Sequence, residues 1–379
     1  MTIYLDHHST TPCDPRVLEK MLPFFSENFG NPSAVSHVHG RRAATAVENA
    51  RMTLADLLGA QPGEVVFTAG ATESNNIAIR GLTRGKRRHV ITSAVEHKSV
   101  LEPVRRLRDE GIEVTVLPVD REGFVSPDAL RAAIRDDTAL VSIMAANGEI
   151  GTIQPLDALA SICRDRGVPL HADATQAIGK IPLRLDRVPV DLLSLSAHKF
   201  YGPKGAGALL VRRGIDLTPL TVGGGQERGL RSGTLNVPAV IGMAEALDLA
   251  IEEMEREAGR LSALRDRLWA GLQAAVPDSR LNGPAEHRLP GNLNVTFRGV
   301  DAERLMQVLP GYSLSSGSAC SSGANEPSHV LLEIGLTAEE ARAAIRFGLG
   351  RGNTGEQIEN LIRDLSDVVS SLLHSSERR

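Results

Sequence analysis

Aromatic side chains are scarce in this chain. Eight Phe, three Tyr and one Trp make up 3% of 379 residues, too few for a platform that stacks successive nucleic-acid bases. Neither sign of charge dominates: 42 Lys and Arg stand against 46 Asp and Glu, a formal net charge of −4. That balance argues against nucleic acid or an anionic membrane as the main partner. No apolar run approaches the roughly 18 residues that a membrane helix needs. Residues 1–12 have neither the basic stretch nor the apolar core of a signal peptide, so a cytoplasmic protein is expected. The only cysteines are Cys13, Cys163 and Cys320, an odd number spaced about 150 residues apart. This leaves no Cys-x-x-Cys motif and argues against a disulfide framework. No Gly-x-Gly-x-x-Gly follows a strand pattern, which weakens a nicotinamide reading, and no P-loop is present.

What is present is ordinary for a globular protein: 42% hydrophobic and 23% charged residues. The length predicts two or three domains with enough core to do without disulfides or metals. Short β-rich runs cover residues 65–69, 89–93, 114–119, 140–145, 169–174, 192–196 and 206–211. Amphipathic helical stretches lie between several of them. The alternation predicts an α/β fold with a mainly parallel seven-stranded sheet, and the unbroken apolar runs suit strands covered on both faces. A long helical pattern over 240–276 leads towards strands near 292–297 and 344–347 and a final amphipathic helix. The expected division is a large domain over 13–255 and a smaller α+β domain made of 1–12 with 256–379.

Polar clusters close the strands of the larger unit. They are Gly70 to Asn75, Glu96 to Lys98, Asn147 to Glu149, the set His171, Asp173 and Gln176, and Ser196 to Lys199. Ligands of open parallel sheets bind at the carboxyl ends of the strands, so five clusters there imply one site for a sizeable polar ligand. Gly70-Ala71-Thr72 opens a helix, where free N–H groups receive anions, although an ordinary Thr72 cap reads the same way. Lys199 follows an apolar strand beside Ser196 and His198. Partly desolvated there, it could form a Schiff base. Asp173 at the end of an apolar strand needs a cationic partner, and a pyridinium nitrogen would serve. His97 could stack on a flat ring or carry protons, or be a satisfied structural histidine. A phosphate site, an imine lysine and a ring-nitrogen aspartate together fit pyridoxal phosphate. Cys163 reads as a small buried hydrophobe. Cys320 differs: it lies among Ser, Gly and Ala in 315–325, the composition of an exposed loop, where a free thiol reads as a nucleophile.

The chain resembles the cysteine desulfurases of the pyridoxal-phosphate fold type I, class V aminotransferase group, over essentially its whole length. The marks are Tyr4-Leu5-Asp6 with Thr10-Thr11-Pro12, Gly30-Asn31-Pro32-Ser33, Ala71 to Asn76, Glu96-His97-Lys98, Glu149-Ile150-Gly151, Asp173 to Gln176, Ser196 to Lys199, Arg231-Ser232-Gly233-Thr234, Ser315 to Cys320 and Ile345-Arg346-Phe347. The resemblance implies that Lys199 holds the cofactor and moves the substrate's Cα proton. Asp173 would pair with the pyridine nitrogen, Gln176 would contact the phenolic oxygen, and His97 would stack on the ring and assist proton transfer as a catalytic residue. Ala71, Thr72, Ser196 and His198 would hold the phosphate. Thr234 would reach the phosphate of a partner subunit's cofactor, which implies a homodimer. Arg346 would clamp the substrate carboxylate with help from Asn31. Cys320 would take the sulfur of L-cysteine as a persulfide, leaving L-alanine, and pass it to a sulfur-acceptor protein such as a cluster scaffold. The long loop from Ser315 through Pro327 resembles the iron–sulfur-cluster-assembly subgroup, some of whose members also hold a cluster transiently on the catalytic cysteine. The resemblance departs at Gly148, where the family places an Asn expected at the phenolic oxygen. Activity is expected to survive this change with an altered spectrum.

Two other readings stand beside this one. A related pyridoxal-phosphate lyase or aminotransferase, such as a selenocysteine lyase, would not need the Cys320 loop. A non-enzymatic sulfur carrier on the same fold would be expected to lack Lys199 or Asp173, and both are present. A metal site built on His7-His8, His37-x-His39 or His171-x-Asp173 lacks a completing ligand set.

Overall fold

The computed structural model describes residues 2–83, 87–316 and 326–376. Cys320 and the segment around it lie outside the described residues.

Thirteen strands appear among the described residues. They are β1 (Ile3–Tyr4), β2 (Val65–Thr68), β3 (His89–Ser93), β4 (Glu113–Leu117), β5 (Thr138–Ser142), β6 (Leu170–Asp173), β7 (Leu192–Ser196), β8 (Gly207–Val211), β9 (Ser279–Leu281), β10 (Asn292–Phe297), β11 (Tyr312–Ser313), β12 (Ser315–Ser316) and β13 (Ala344–Gly348). Seven form the central sheet in the order β2-β8-β7-β6-β5-β3-β4. All its pairings are parallel except those of β8, which runs antiparallel to β2 and β7. Strands β2, β3, β5, β6, β7 and β8 are buried at every residue, whereas β4 has exposed positions at the sheet's edge. The sheet matches the expectation from the apolar runs, each within a few residues. The carboxyl ends of β3, β5, β6 and β7 therefore point the same way.

A second sheet, β12-β13-β10-β9, is antiparallel and has its own core. Val295, Phe297, Ile345 and Phe347 from its strands pack with Leu268 and Leu272 of the long helix Val237–Ala275. The helix Gly355–Ser376 adds Ile358, Leu361, Leu365 and Val369. The long helix thus serves both cores, since its early residues Val240, Met243 and Leu247 pack under the large sheet. The N-terminal segment also joins the two. β1 pairs with β11, Leu5 is buried in the second core, and Thr11 then donates to the carbonyl of His198 beyond β7.

The helix Val38–Leu58 was absent from the pattern read in the sequence. Its buried face is made largely of Gly40, Ala43, Ala50 and Ala55 with Val47, Leu54 and Leu58, so small residues dilute the apolar period. Gly59 ends it with φ 66°, the left-handed conformation that glycine adopts without penalty. This helix also fixes the long connection after β8. Arg51 donates to both carboxylate oxygens of Glu227, at 2.7 and 2.8 Å, and Glu227 further accepts the N–H of Phe67 at 2.7 Å. Both side chains are buried, and Glu227 and Arg228 take φ of 48° and 56°. Replacing Glu227 by Ala removes the buried partner of Arg51, which keeps only the exposed Glu48 and the Val65 carbonyl, and takes the acceptor from the Phe67 N–H, a loss of roughly 3 kcal/mol. Denaturant unfolding of Glu227→Ala is expected to show that loss, and a change within about 0.5 kcal/mol would contradict this role for the pair.

Candidate active site

The site begins with the helix Ala71–Leu82, which starts directly after β2. Gly70 turns the chain there at φ 153° and packs against Gly207, where an added Cβ would meet the Gly70 Cα at 2.5 Å. This close approach brings the backbone N–H groups of Ala71 and Thr72 beside the buried Ser196 at the end of β7. N–H groups at a helix start with a neighbouring hydroxyl suit an anion. His198 stands nearby, its Nδ1 3.1 Å from the Thr10 hydroxyl. Burial, then Lys199, pushes its pKa down to about 4, so the ring is neutral.

Asp173 ends β6 and is 6% exposed. One carboxylate oxygen accepts the Thr175 N–H at 3.0 Å and the other accepts the Asn75 amide at 2.8 Å. The same Asn75 nitrogen also donates to the Ser99 hydroxyl at 2.8 Å, and Ser99 Oγ lies 2.8 Å from His97 Nδ1. Because Ser99 N–H also donates to His97 Nδ1, that nitrogen is the acceptor and the ring proton sits on Nε2. Burial lowers the basicity of His97, Asp173 acts in the opposite sense, and Lys199 adds to the lowering. Asn75 and Ser99 were not among the expected site residues. The motif Ala71 to Asn76 carried Asn75, but only the fold reveals that it reaches β6.

Lys199 follows β7 in a single 3₁₀ turn and donates to the carbonyls of His8 and Ser9, at 2.8 and 2.7 Å. Gln176 donates to the His8 carbonyl and accepts from Lys180. Arg346 on β13 comes from the other sheet. Its NH2 donates to Asp6 and Ser9, each at 2.7 Å, and to Ser315 at 3.2 Å, while NH1 reaches the carbonyl of Gly148 at 3.3 Å. The Asp6 pairing was not anticipated. It occupies one end of the guanidinium and leaves Nε buried with no partner among the described residues.

These side chains face one cavity of about 1040 Å³. It is lined by Ala71, Thr72, His97, Asp173, Gln176, Ser196, His198, Lys199 and Arg346, among others. Asn31 and Thr234 are not brought there by this chain. Both are exposed, and Asn31 instead accepts the N–H of Ser33 within its own turn. Ser316 and Glu326, the described residues on either side of the segment holding Cys320, both line the cavity. His171, one of the polar cluster, is a satisfied core histidine: its two nitrogens lie 2.8 and 2.9 Å from the hydroxyls of Ser142 and Ser194. No group of three or more His, Cys, Asp or Glu among the described residues could hold a metal ion. Cys163 is buried as expected, and burial pushes its thiol up to about 12.

The donor set fits pyridoxal phosphate. A helix start, Ser196 and neutral His198 suit the phosphate. The buried Asp173, already oriented by Asn75 and Thr175, suits a ring N–H. Thr175 Oγ1 and Arg346 Nε are buried polar atoms of the cavity wall that no described residue satisfies.

Comparison with known proteins agrees with this geometry. The sequence model of the family "Aminotransferase class-V" matches residues 3–361. A protein of Methylococcus capsulatus named "Cysteine desulfurase IscS" is 50% identical over 98% of this chain and 93% of its own length. A "Cysteine desulfurase, mitochondrial" of Arthroderma benhamiae is 49% identical over 98% of this chain and 75% of its own. A solved structure titled "NIFS-LIKE PROTEIN" superposes with a TM-score of 0.92 at 39% identity, covering 98% of this chain and 100% of that one.

The cavity wall also contains two carboxyl groups that hold protons near neutrality. Burial pushes Glu96 up to about 8, against hydrogen bonds from the Ser93 hydroxyl and the Met144 N–H. Burial likewise pushes Glu149 to about 7, opposed by the Ser328 hydroxyl and Arg346. Below pH 4.5 Glu96 is protonated in both folded and unfolded chains. Above it the unfolded chain loses the proton first, so stability falls as pH rises towards 8. The stability difference between wild type and Glu96→Gln, followed by denaturant unfolding, is expected to move against wild type across that interval. A constant difference would contradict a buried, protonated Glu96.

Proposed function

The chain belongs to the class-V aminotransferase family, and we propose that within it the protein is a cysteine desulfurase that uses pyridoxal 5'-phosphate. The observation that carries this is the meeting of Lys199, Asp173 and Arg346 in one cavity whose rim includes both described ends of the Cys320 segment. The high identity to proteins named cysteine desulfurase, over nearly the full chain, supports the same reaction here.

The residue roles are those that the family resemblance implies, and the lining of the cavity supports them. When bound, the cofactor supplies an electron sink for the amino acid. Ala71 and Thr72 present N–H groups, with Ser196 and His198, to its phosphate. Asp173 holds its charge against the ring nitrogen, steadied by Asn75. His97 would stack on the ring and assist proton transfer, with its own proton on Nε2, away from the Ser99 tether. Lys199 anchors the cofactor through Nζ and carries the proton to and from the substrate's Cα. Arg346 receives the substrate carboxylate, and its Nε has no partner among the described residues. Cys320 Sγ takes the sulfur of L-cysteine as a persulfide, and L-alanine leaves. The persulfide then passes to an acceptor protein for cluster assembly or thiolation. Cys320 could also ligate a transient cluster.

The enzyme acts as a homodimer in this reading. Leu18, Leu22, Phe25, Phe29 and Val35 form an exposed apolar group close in sequence, as an interface needs. Thr234, exposed and outside its own cavity, is assigned to the partner's phosphate. Arg231 pairs with Glu73 at 2.9 Å, which ties that loop to the start of the phosphate-site helix of its own chain. The two cores correspond in this proposal to a large domain over 13–255 and a small one over 1–12 with 256–379. No helix among the described residues is long and apolar enough to cross a membrane. We place the enzyme in the cytoplasm, although a mitochondrial relative exists.

Purified protein given L-cysteine and a thiol reductant is expected to release alanine and sulfide in equal amounts, and Cys320→Ala to lose both. Alanine formation that survives in Cys320→Ala would favour a related lyase. Arg346→Ala is expected to raise KM for L-cysteine by roughly tenfold or more, the scale of a lost charged hydrogen bond. An unchanged KM would remove Arg346 from the substrate carboxylate.

A further inference from the structure

The resemblance gives the cofactor's phenolic oxygen two amides, one of which is Gly148 here. The surviving amide, Gln176, is held in one orientation by partners that leave it no choice. Its Nε2 lies 2.8 Å from the carbonyl of His8, which only accepts. Its Oε1 lies 2.7 Å from Lys180 Nζ and 3.1 Å from His8 Nδ1. A flipped amide would set its NH₂ group against the Lys180 donor and its oxygen against the His8 carbonyl. Lys180 has N–H groups to donate whether it is charged or neutral, so the lock does not depend on its titration. One Gln176 N–H serves His8, and the other is left for a ligand of the cavity that Gln176 lines.

Gly148 makes this arrangement possible. A Cβ at that position would lie 2.6 Å from Gln176 Nε2, 2.8 Å from Cδ and 2.9 Å from Cγ. Real Cβ atoms do not approach so closely, so any larger residue must push Gln176 aside. The backbone of Gly148 stays tied to the opposite wall, since its carbonyl accepts from Arg346 and from Asn292. The glycine cannot simply retreat.

We propose that Lys180 and His8 are positioning residues that aim the NH₂ edge of Gln176 at the cofactor's phenolic oxygen, and that Gly148 provides the space for it. One locked amide thereby replaces two. The proposal rests on the pyridoxal phosphate reading and adds to it a reason why that reading tolerates Gly148.

Lys180 reaches Gln176 from behind the wall. It lines a second cavity of about 50 Å³ with His7, His8, Lys199, Glu253 and Glu257. Burial, then the nearby Lys199 and Arg346, brings its pKa down to about 7.

The test titrates the visible absorbance of the bound cofactor with pH in wild type, Lys180→Met, Gly148→Ala, Gln176→Met and the double variant Lys180→Met/Gln176→Met. Losing an N–H donor makes the phenolic oxygen more basic. Each single variant is therefore expected to raise the apparent pKa of the chromophore by about one unit, the scale of one hydrogen bond to a charged group. If Lys180 acts through Gln176, the double variant shifts no further than Gln176→Met alone. Gly148→Asn is expected to follow Gly148→Ala and not to improve cofactor binding. An unchanged titration in Lys180→Met, or shifts that add fully in the double variant, would overturn the proposal. Should Lys180→Met fail to fold, an unchanged titration in Gly148→Ala overturns it equally. Failure of the wild type to take up cofactor would count against the cofactor reading instead.

Discussion

A carboxylate buried at the end of a central strand is the constraint on which this structure turns. Asp173 closes β6, with strands on both sides of it and helices on both faces of the sheet. Such a charge is costly unless its lone pairs are used. Asn75 and the Thr175 N–H use part of them, and through Ser99 the same network sets the tautomer of His97. The arrangement holds a negative charge in place before any ligand arrives, which is what a ring nitrogen needs from its site. The parallel sheet makes the arrangement possible. It brings the ends of β3, β5, β6 and β7 to one side, so residues far apart in sequence share one cavity.

The second organising feature is the N-terminal segment. Its carbonyls at His8 and Ser9 hold the Lys199 side chain, and His8 also holds Gln176. Asp6 and Ser9 hold Arg346 from the other sheet. Twelve residues thus clamp groups from both cores around one space. The electrostatics are correspondingly balanced. Lys199 and Arg346 bring positive charge, Lys180 and His198 are pushed towards neutrality by burial, and burial favours the protonated forms of Glu96 and Glu149. What the wall calls for is anionic, and a phosphate and an amino-acid carboxylate both answer that need.

Much of this was legible in the sequence because strands buried on both faces write continuous apolar runs, and polar residues at their ends mark the site. Lys199, Asp173, His97, Gln176, Ser196 and His198 were found in that way or through the resemblance, and all line the cavity. The helix Val38–Leu58 was missed because alanine and glycine blur its apolar face. Partners across large separations were illegible. The Arg346–Asp6 pair spans 340 positions, and the Asn75–Asp173 bond spans 98. The lock on Gln176 was also hidden, since it depends on a space that only the folded backbone defines. Asn31 and Thr234 came from the resemblance alone, and the fold of one chain leaves both outside its cavity.

The central claim is that this cavity delivers sulfur from L-cysteine to Cys320. The most direct measurement is peptide mass spectrometry of the cofactor-loaded protein after brief exposure to L-cysteine without reductant. The account predicts that the peptide containing Cys320 gains the mass of one sulfur atom, and that it does so only while Lys199 is intact. An unmodified Cys320 peptide, or sulfur found instead on Cys13 or Cys163, would contradict it.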